Sequence, residues 1–130
     1  MDYYFTTTVL GEFDETIEKV TQLLKNEGFG ILTQIDMQQT FKNKLDVNFK
    51  KYKILGACNP PFAYKALQAE DKIGTMLPCN IIVQKIAPRK IEVSAINPLV
   101  SMKSVKNEQL KSIAQAVSIK LKNIKNEEQF

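Results

Sequence analysis

GACNPPFAYKALQAEDKIGTMLPCN, residues 56–80, is the stretch whose reading decides the fold. It holds both cysteines of the chain, Cys58 and Cys79, and each has proline and asparagine close by. Asn59 has the chemistry of a helix N-cap, and Pro60 suits the first helical position, where a missing N–H costs nothing. Pro61 is tolerated in the same turn. A helix is predicted over 62–69, with Ala63, Ala66 and Leu67 facing inward, and Gly74 ends the excursion. Residues 51–58 before it and 80–86 after it read as strands. The segment is therefore a strand, a helix and a strand. Pro78 is read as trans, since only about 5% of X-Pro bonds in folded proteins are cis.

Working outward, Tyr3 to Val9 alternates, with Tyr3, Phe5, Thr7 and Val9 on one face of a first strand. Phe13, Ile17, Val20 and Leu24 recur at helical spacing, Glu15 and Lys19 form an outer i, i+4 pair, and Gly28 stops the helix. A second strand follows over 30–37, with Ile31, Thr33, Ile35 and Met37 on one face. Residues 38–45 read as a short helix. Ala87-Pro88-Arg89 turns the fourth strand into a fifth, residues 90–96, so these two form a hairpin. Residues 108–124 give the clearest helix, with Leu110, Ile113, Ala114, Val117, Leu121 and Ile124 on one stripe. Ser94-Ala95-Ile96-Asn97-Pro98 echoes Gly56-Ala57-Cys58-Asn59-Pro60; a relic duplication and a common way of leaving a strand both account for the echo.

The expected fold is α+β and two-layered: about five mainly antiparallel strands, with three helices on one face, in βαββαββα order. Residues 1–125 are expected to form a single domain and residues 126–130 a frayed tail. A chain of 130 residues has the size of one domain and needs no disulfide or metal to fold.

Composition removes several chemistries. There is no histidine, so imidazole-based triads and histidine-held zinc are excluded. Two cysteines cannot make a four-sulfur metal site within one chain. The net charge is +4, but Arg89 is the only arginine and the lysines alternate with acids. Bidentate readers of phosphate and bases rely on arginine, so the charge argues against nucleic-acid binding. No segment approaches the ~18 apolar residues of a membrane span, and no basic region followed by an apolar run opens the sequence. The expectation is a cytoplasmic protein with no membrane partner and no cofactor.

Tyr52 to Pro60, Ala63 to Leu67, Ile73-Gly74 and Leu77 to Val83 together resemble the bacterial and archaeal "domain of unknown function 302" family. Glu27 to Gly30 entering Ile35-Asp36, and Val93 to Ala95 entering Asn97-Pro98, fit the same resemblance, which covers nearly the whole chain. It implies a compact α/β domain, a dimer, and no assigned activity. It also implies that the cysteines are dispensable for folding, because one branch of the family keeps the Asn-Pro and Leu-Pro elements without them.

Cys58 precedes a helix N-terminus, where backbone N–H groups and the dipole favour a thiolate or a bound anion. If the third and fourth strands are neighbours, its sulfur lies near that of Cys79. The alternative is that both are small buried hydrophobes. Binding candidates beside them are Asn59, Pro60, Tyr64, Lys65, Pro78, Asn80 and Asp36. Asn59 is foremost a cap and Lys65 foremost a solvated lysine. Asp36 has Lys44 or Lys65 as candidate partners. The resulting expectation is a binding or interaction module, with a pocket at the 58–60 and 78–80 loops for a small anionic or amphipathic ligand. A homodimer across the uncovered sheet face is also expected. The alternative is a thiol-dependent redox or sulfur-transfer protein using Cys58 and Cys79. No carboxylate pair or glycine-rich phosphate loop supports other catalysis.

Overall fold

A computed structural model describes residues 1–126 of the chain. Five strands form one antiparallel sheet: β1 (Tyr4–Leu10), β2 (Gly30–Asp36), β3 (Tyr52–Cys58), β4 (Cys79–Ala87) and β5 (Lys90–Ile96). Their order is β1-β5-β4-β3-β2. The helices are α1 (Phe13–Asn26), α2 (Met37–Leu45), α3 (Pro60–Ala69), α4 (Pro98–Ser101) and α5 (Glu108–Asn126), with a 3-10 helix over Asp71–Met76. The expected α+β sheet and hairpin are present, and the element order is roughly as expected, with α2 between β2 and β3, the 3-10 helix after α3 and the short α4 before α5 added to it. Of the expected tail, Asn126 closes α5, and residues 127–130 lie outside the described residues.

The sheet is covered on one face by α1, α3 and α5. Leu55 and Ala57 of β3, Ile81 and Val83 of β4, and Ile91, Val93 and Ala95 of β5 alternate into that face and are buried. Val20 and Leu24 of α1 and Leu121 of α5 meet them with essentially no exposed surface. Each such side chain contributes roughly 1.5–3 kcal/mol by leaving water. Ala66, Ile73 and Leu110 make a smaller cluster under α3 and α5.

Gly28 ends α1 at φ +88, a left-handed backbone that costs glycine little. The Gly28 and Phe29 N–H groups then donate to the Lys25 and Leu24 carbonyls at 3.0 and 2.8 Å. A side chain at residue 28 would also meet the Asn59 amide at 3.0 Å. The start of β2 is thereby pressed against the end of β3.

Three details depart from the sequence reading. The pairing of β2 with β3 shifts register between Ile31 and Thr33. Such a bulge moves the following residues to the other face. Ile31 packs on the core, while Thr33 and Ile35 lie opposite Gly56 and Ile54 on the open face. Tyr3 precedes the pleat of β1 and is exposed, so it does not share the inward face of Phe5 and Val9. Glu15 and Lys19 form no ion pair; the pairs among the described residues are Lys42–Asp46, Lys72–Asp71 and Arg89–Glu12.

Among the described residues, the opposite sheet face carries no helix layer. Its edge is bordered by α2, no residue of which is buried. An aromatic chain ties the two together: the Phe41 and Phe49 rings are 5.1 Å apart, and Phe49 lies 6.1 Å from Tyr52.

Candidate functional site

The end of β3 and the start of β4 lie side by side. Ala57 is opposite Cys79 and Gly56 opposite Asn80, which brings the two cysteine loops together as the neighbouring-strand reading expected. Gly56 is held to glycine by its neighbours: a Cβ there would overlap the Thr33 hydroxyl and come within 2.8 Å of the Pro78 ring. The Leu77–Pro78 peptide bond is cis, contrary to the trans expectation.

Behind these strand ends lies a cavity of about 290 Å³, roofed by α3 and α5. Cys58, Asn59, Pro78 and Cys79 all border it. Its space has a plain origin. α3 presents Ala63 and Ala66, α5 presents Ala114, and these short side chains leave the interhelical volume unfilled. The rest of its wall is aliphatic and aromatic, and among the described residues no lysine, arginine, aspartate or glutamate borders it. Its size lies at the lower end of small-molecule sites, and its apolar wall with few polar groups is typical of them.

Both cysteines are free thiols. Burial, and then the nearby charge of Cys58, push the Cys79 thiol up to about 11. Cys79 therefore remains protonated at neutral pH and is a poor nucleophile. Cys58 is partly exposed at the cavity rim.

Asn59 is buried, but its side chain does not cap α3. An N-cap oxygen accepts from the N–H of the second or third helical residue. Pro61 in the second position has none, and the Phe62 N–H in the third is not engaged. The Asn59 amide instead donates to the Glu27 carbonyl at 3.3 Å, tying the third strand's exit to the turn before β2.

The other predicted residues stand apart from the cavity. Pro60 begins α3 and is exposed. Tyr64 is 67% exposed, because the helix phase that turns Ala63 and Ala66 inward turns it out. Lys65 is exposed, with its ammonium 5.8 Å from the Phe62 ring centre. Leu67, expected inward, is 43% exposed at the cavity edge. Asn80 points to the open face of the sheet and borders a shallow depression there with Tyr4 and Tyr52. Asp36 caps α2, accepting from the Gln39 N–H at 2.9 Å, and its partner is neither Lys44 nor Lys65. Sequence reasoning missed Met102 and the α5 wall residues of the cavity. The only signal for the hollow was alanine at the inward positions of two facing helices.

No helix among the described residues is long and apolar enough to cross a membrane. Among them, no three His, Cys, Asp or Glu side chains cluster as metal ligands. Comparison with the curated proteins gives no match. The crystal structure of an uncharacterized conserved DUF302 protein from Bacillus stearothermophilus is similar, with a TM-score of 0.88 and 27% identity over 97% of this chain and 98% of that one. The sequence profile of "Domain of unknown function DUF302" matches residues 5–127. With nearly its whole length matched in sequence and in fold, the chain belongs to the DUF302 family.

Proposed function

We propose that this DUF302 domain is a binding module that takes a small, mainly apolar molecule into the cavity between α3, α5 and the joined ends of β3 and β4. The observation that carries this reading is an apolar cleft of about 290 Å³ between α3, α5 and the strand ends. A fitting apolar ligand would bury its own surface and that of the wall together. The wall offers no cation, so an anionic group on the ligand has no partner inside this cavity. Thiol chemistry resting on Cys79 is the weaker reading, because Cys79 holds its proton at neutral pH; Cys58 is the remaining candidate nucleophile, at the cavity rim.

The test uses Cys58 as a reporter at the cavity rim. A thermal-shift screen of compact apolar compounds should give hits that raise Tm and slow Cys58 alkylation. Ala63→Leu should fill the hollow and abolish both effects while the protein stays folded. A screen with no response, or hits that Ala63→Leu leaves unchanged, would remove this reading.

A second reading, favoured by the open sheet face, is self-association. Tyr3, Tyr4, Ile35, Phe49 and Ile86 are all exposed on or beside that face. A clustered apolar surface is commonly covered by a partner, and a second copy of the chain is the occupant inferred here. Sedimentation should give a dimer that Ile35→Lys dissociates; a monomer at high protein concentration would exclude it.

A further inference from the structure

The apolar cavity adjoins a larger surface groove. That groove, about 760 Å³, runs along the α4–α5 connection and the first turns of α5. Pro98, Met102, Leu110 and Ala114 border both spaces. Pro98, Leu110 and Ala114 are buried and belong to helices. Met102 differs: it sits in the turn after α4, is partly exposed, and has an unbranched side chain able to change rotamer at small cost. It also borders a third depression, of about 280 Å³, against Pro78 and Cys79. One adaptable side chain thus stands where three spaces meet.

The two main spaces differ in chemistry. Among the described residues, the inner cavity has no charged residue on its wall. The outer groove is bordered by Lys103, Lys106 and Lys111, with Glu108 as the one opposing charge. The lysines are exposed, and none of them appears in an ion pair among the described residues. Resting on the cavity reading above, we propose that the ligand is a free amphipathic anion. Its apolar tail fills the inner cavity, its carboxylate or similar head lies among Lys103, Lys106 and Lys111, and Met102 swings aside to let the chain pass. The polarity change from cavity to groove follows that of such a molecule from tail to head.

The probes are octanoate and octanol, which share a tail and differ in head. Binding is followed by calorimetry and by protection of Cys58 from alkylation. Octanoate is expected to bind about tenfold more tightly than octanol at low salt, the yield of a few exposed ion pairs. High salt, or the combined Lys103→Gln, Lys106→Gln and Lys111→Gln changes, should erase that advantage and leave octanol affinity unchanged. Equal binding of the two probes would overturn the joined site while leaving the cavity reading standing. Binding of neither would overturn both. Tight octanoate binding without Cys58 protection would place the head on the lysines with no tail in the cavity, and would also overturn the proposal. Sedimentation with anionic phospholipid vesicles separates the sources: lysine-dependent capture of the protein on vesicles, with Cys58 unprotected, would point to a bilayer surface instead of a free amphiphile.

Discussion

Two strands of this molecule end in Asn-Pro, and the two exits use the same backbone for different ends. Asn59 after β3 and Asn97 after β5 have φ, ψ of −103°, 99° and −103°, 100°. Each donates its amide to a carbonyl ahead of the neighbouring edge strand, Glu27 or Asp2, at 3.3 Å. Beyond that they part. The Asn97 oxygen accepts from the Leu99 N–H at 3.2 Å and from the buried Ser118 hydroxyl at 2.8 Å. The Asn59 oxygen accepts no helix N–H: proline stands where Leu99 stands in the other exit, and the Phe62 N–H is not engaged. The residues three back also differ. Ser94 bonds the Thr6 hydroxyl at 2.9 Å, whereas Gly56 makes room for Thr33 and Pro78. Asparagine followed by proline sets the exit geometry, and its surroundings decide whether the exit anchors a helix or opens onto a cavity.

The largest effect is expected at Gly56. Gly56→Ala should cost about 3–4 kcal/mol, since the methyl has to displace Pro78 and Thr33. Ser94→Ala at the equivalent position should cost about 1 kcal/mol, one hydroxyl bond. Equal losses in urea unfolding would break the contrast.

Next come the asparagines. Asn97→Ala should cost about 2–3 kcal/mol, because it strands buried partners around Ser118. Asn59→Ala should cost about 1 kcal/mol, for one long bond. A reversed order would mean that the cavity-side exit is the structural anchor.

Comparable in size is a pH effect confined to the cavity side. The Cys79 pKa in the folded protein is about 11, raised from an ordinary 9.0. A raised pKa means that the folded state holds the proton more tightly. Its stabilisation is therefore complete below pH 9 and is lost as pH rises towards 11. The loss should reach about 2–3 kcal/mol and be absent in Cys79→Ala. Unfolding curves that run parallel for the two proteins across this range would contradict the burial of the thiol.

The smallest effect sharpens the capping argument. Pro61→Ala restores an N–H at the second helical position of α3. Net stability should change by less than about 0.5 kcal/mol, because a new cap bond is offset by a more flexible unfolded chain. A double-mutant cycle with Asn59→Ala should show about 0.5 kcal/mol of coupling. No coupling would show that Pro61 is not what keeps the asparagine from capping.

Much of this fold could be read from the chain, since periodicity and punctuation are local. The α5 stripe, the Gly28 stop and the Ala87-Pro88-Arg89 turn were all visible. What escaped were consequences of neighbours distant in sequence. The bulge at Ile31 and Thr33 exists only against β3. Asn59 fits a cap in isolation, and the absent donor at Pro61 takes that role from it. The candidate site was half legible. The cysteine loops do meet, but Tyr64 and Lys65 are carried away by the phase of α3. The hollow depends on alanines of two helices that approach each other only in the folded molecule.

The strand order also bears on how the chain acquires its shape during synthesis. β2, β3 and β4 each pair with the next strand along the chain, and β4 and β5 form a local hairpin. β1 pairs only with β5, so that Tyr4 lies opposite Ile96. On a ribosome β1 cannot form this pairing until β5 has emerged. Until then its Phe5 and Val9 have no sheet to pack on. The pairing of β1 with β5 closes the largest sequence separation in the sheet, and such separations raise the entropic cost of forming a contact.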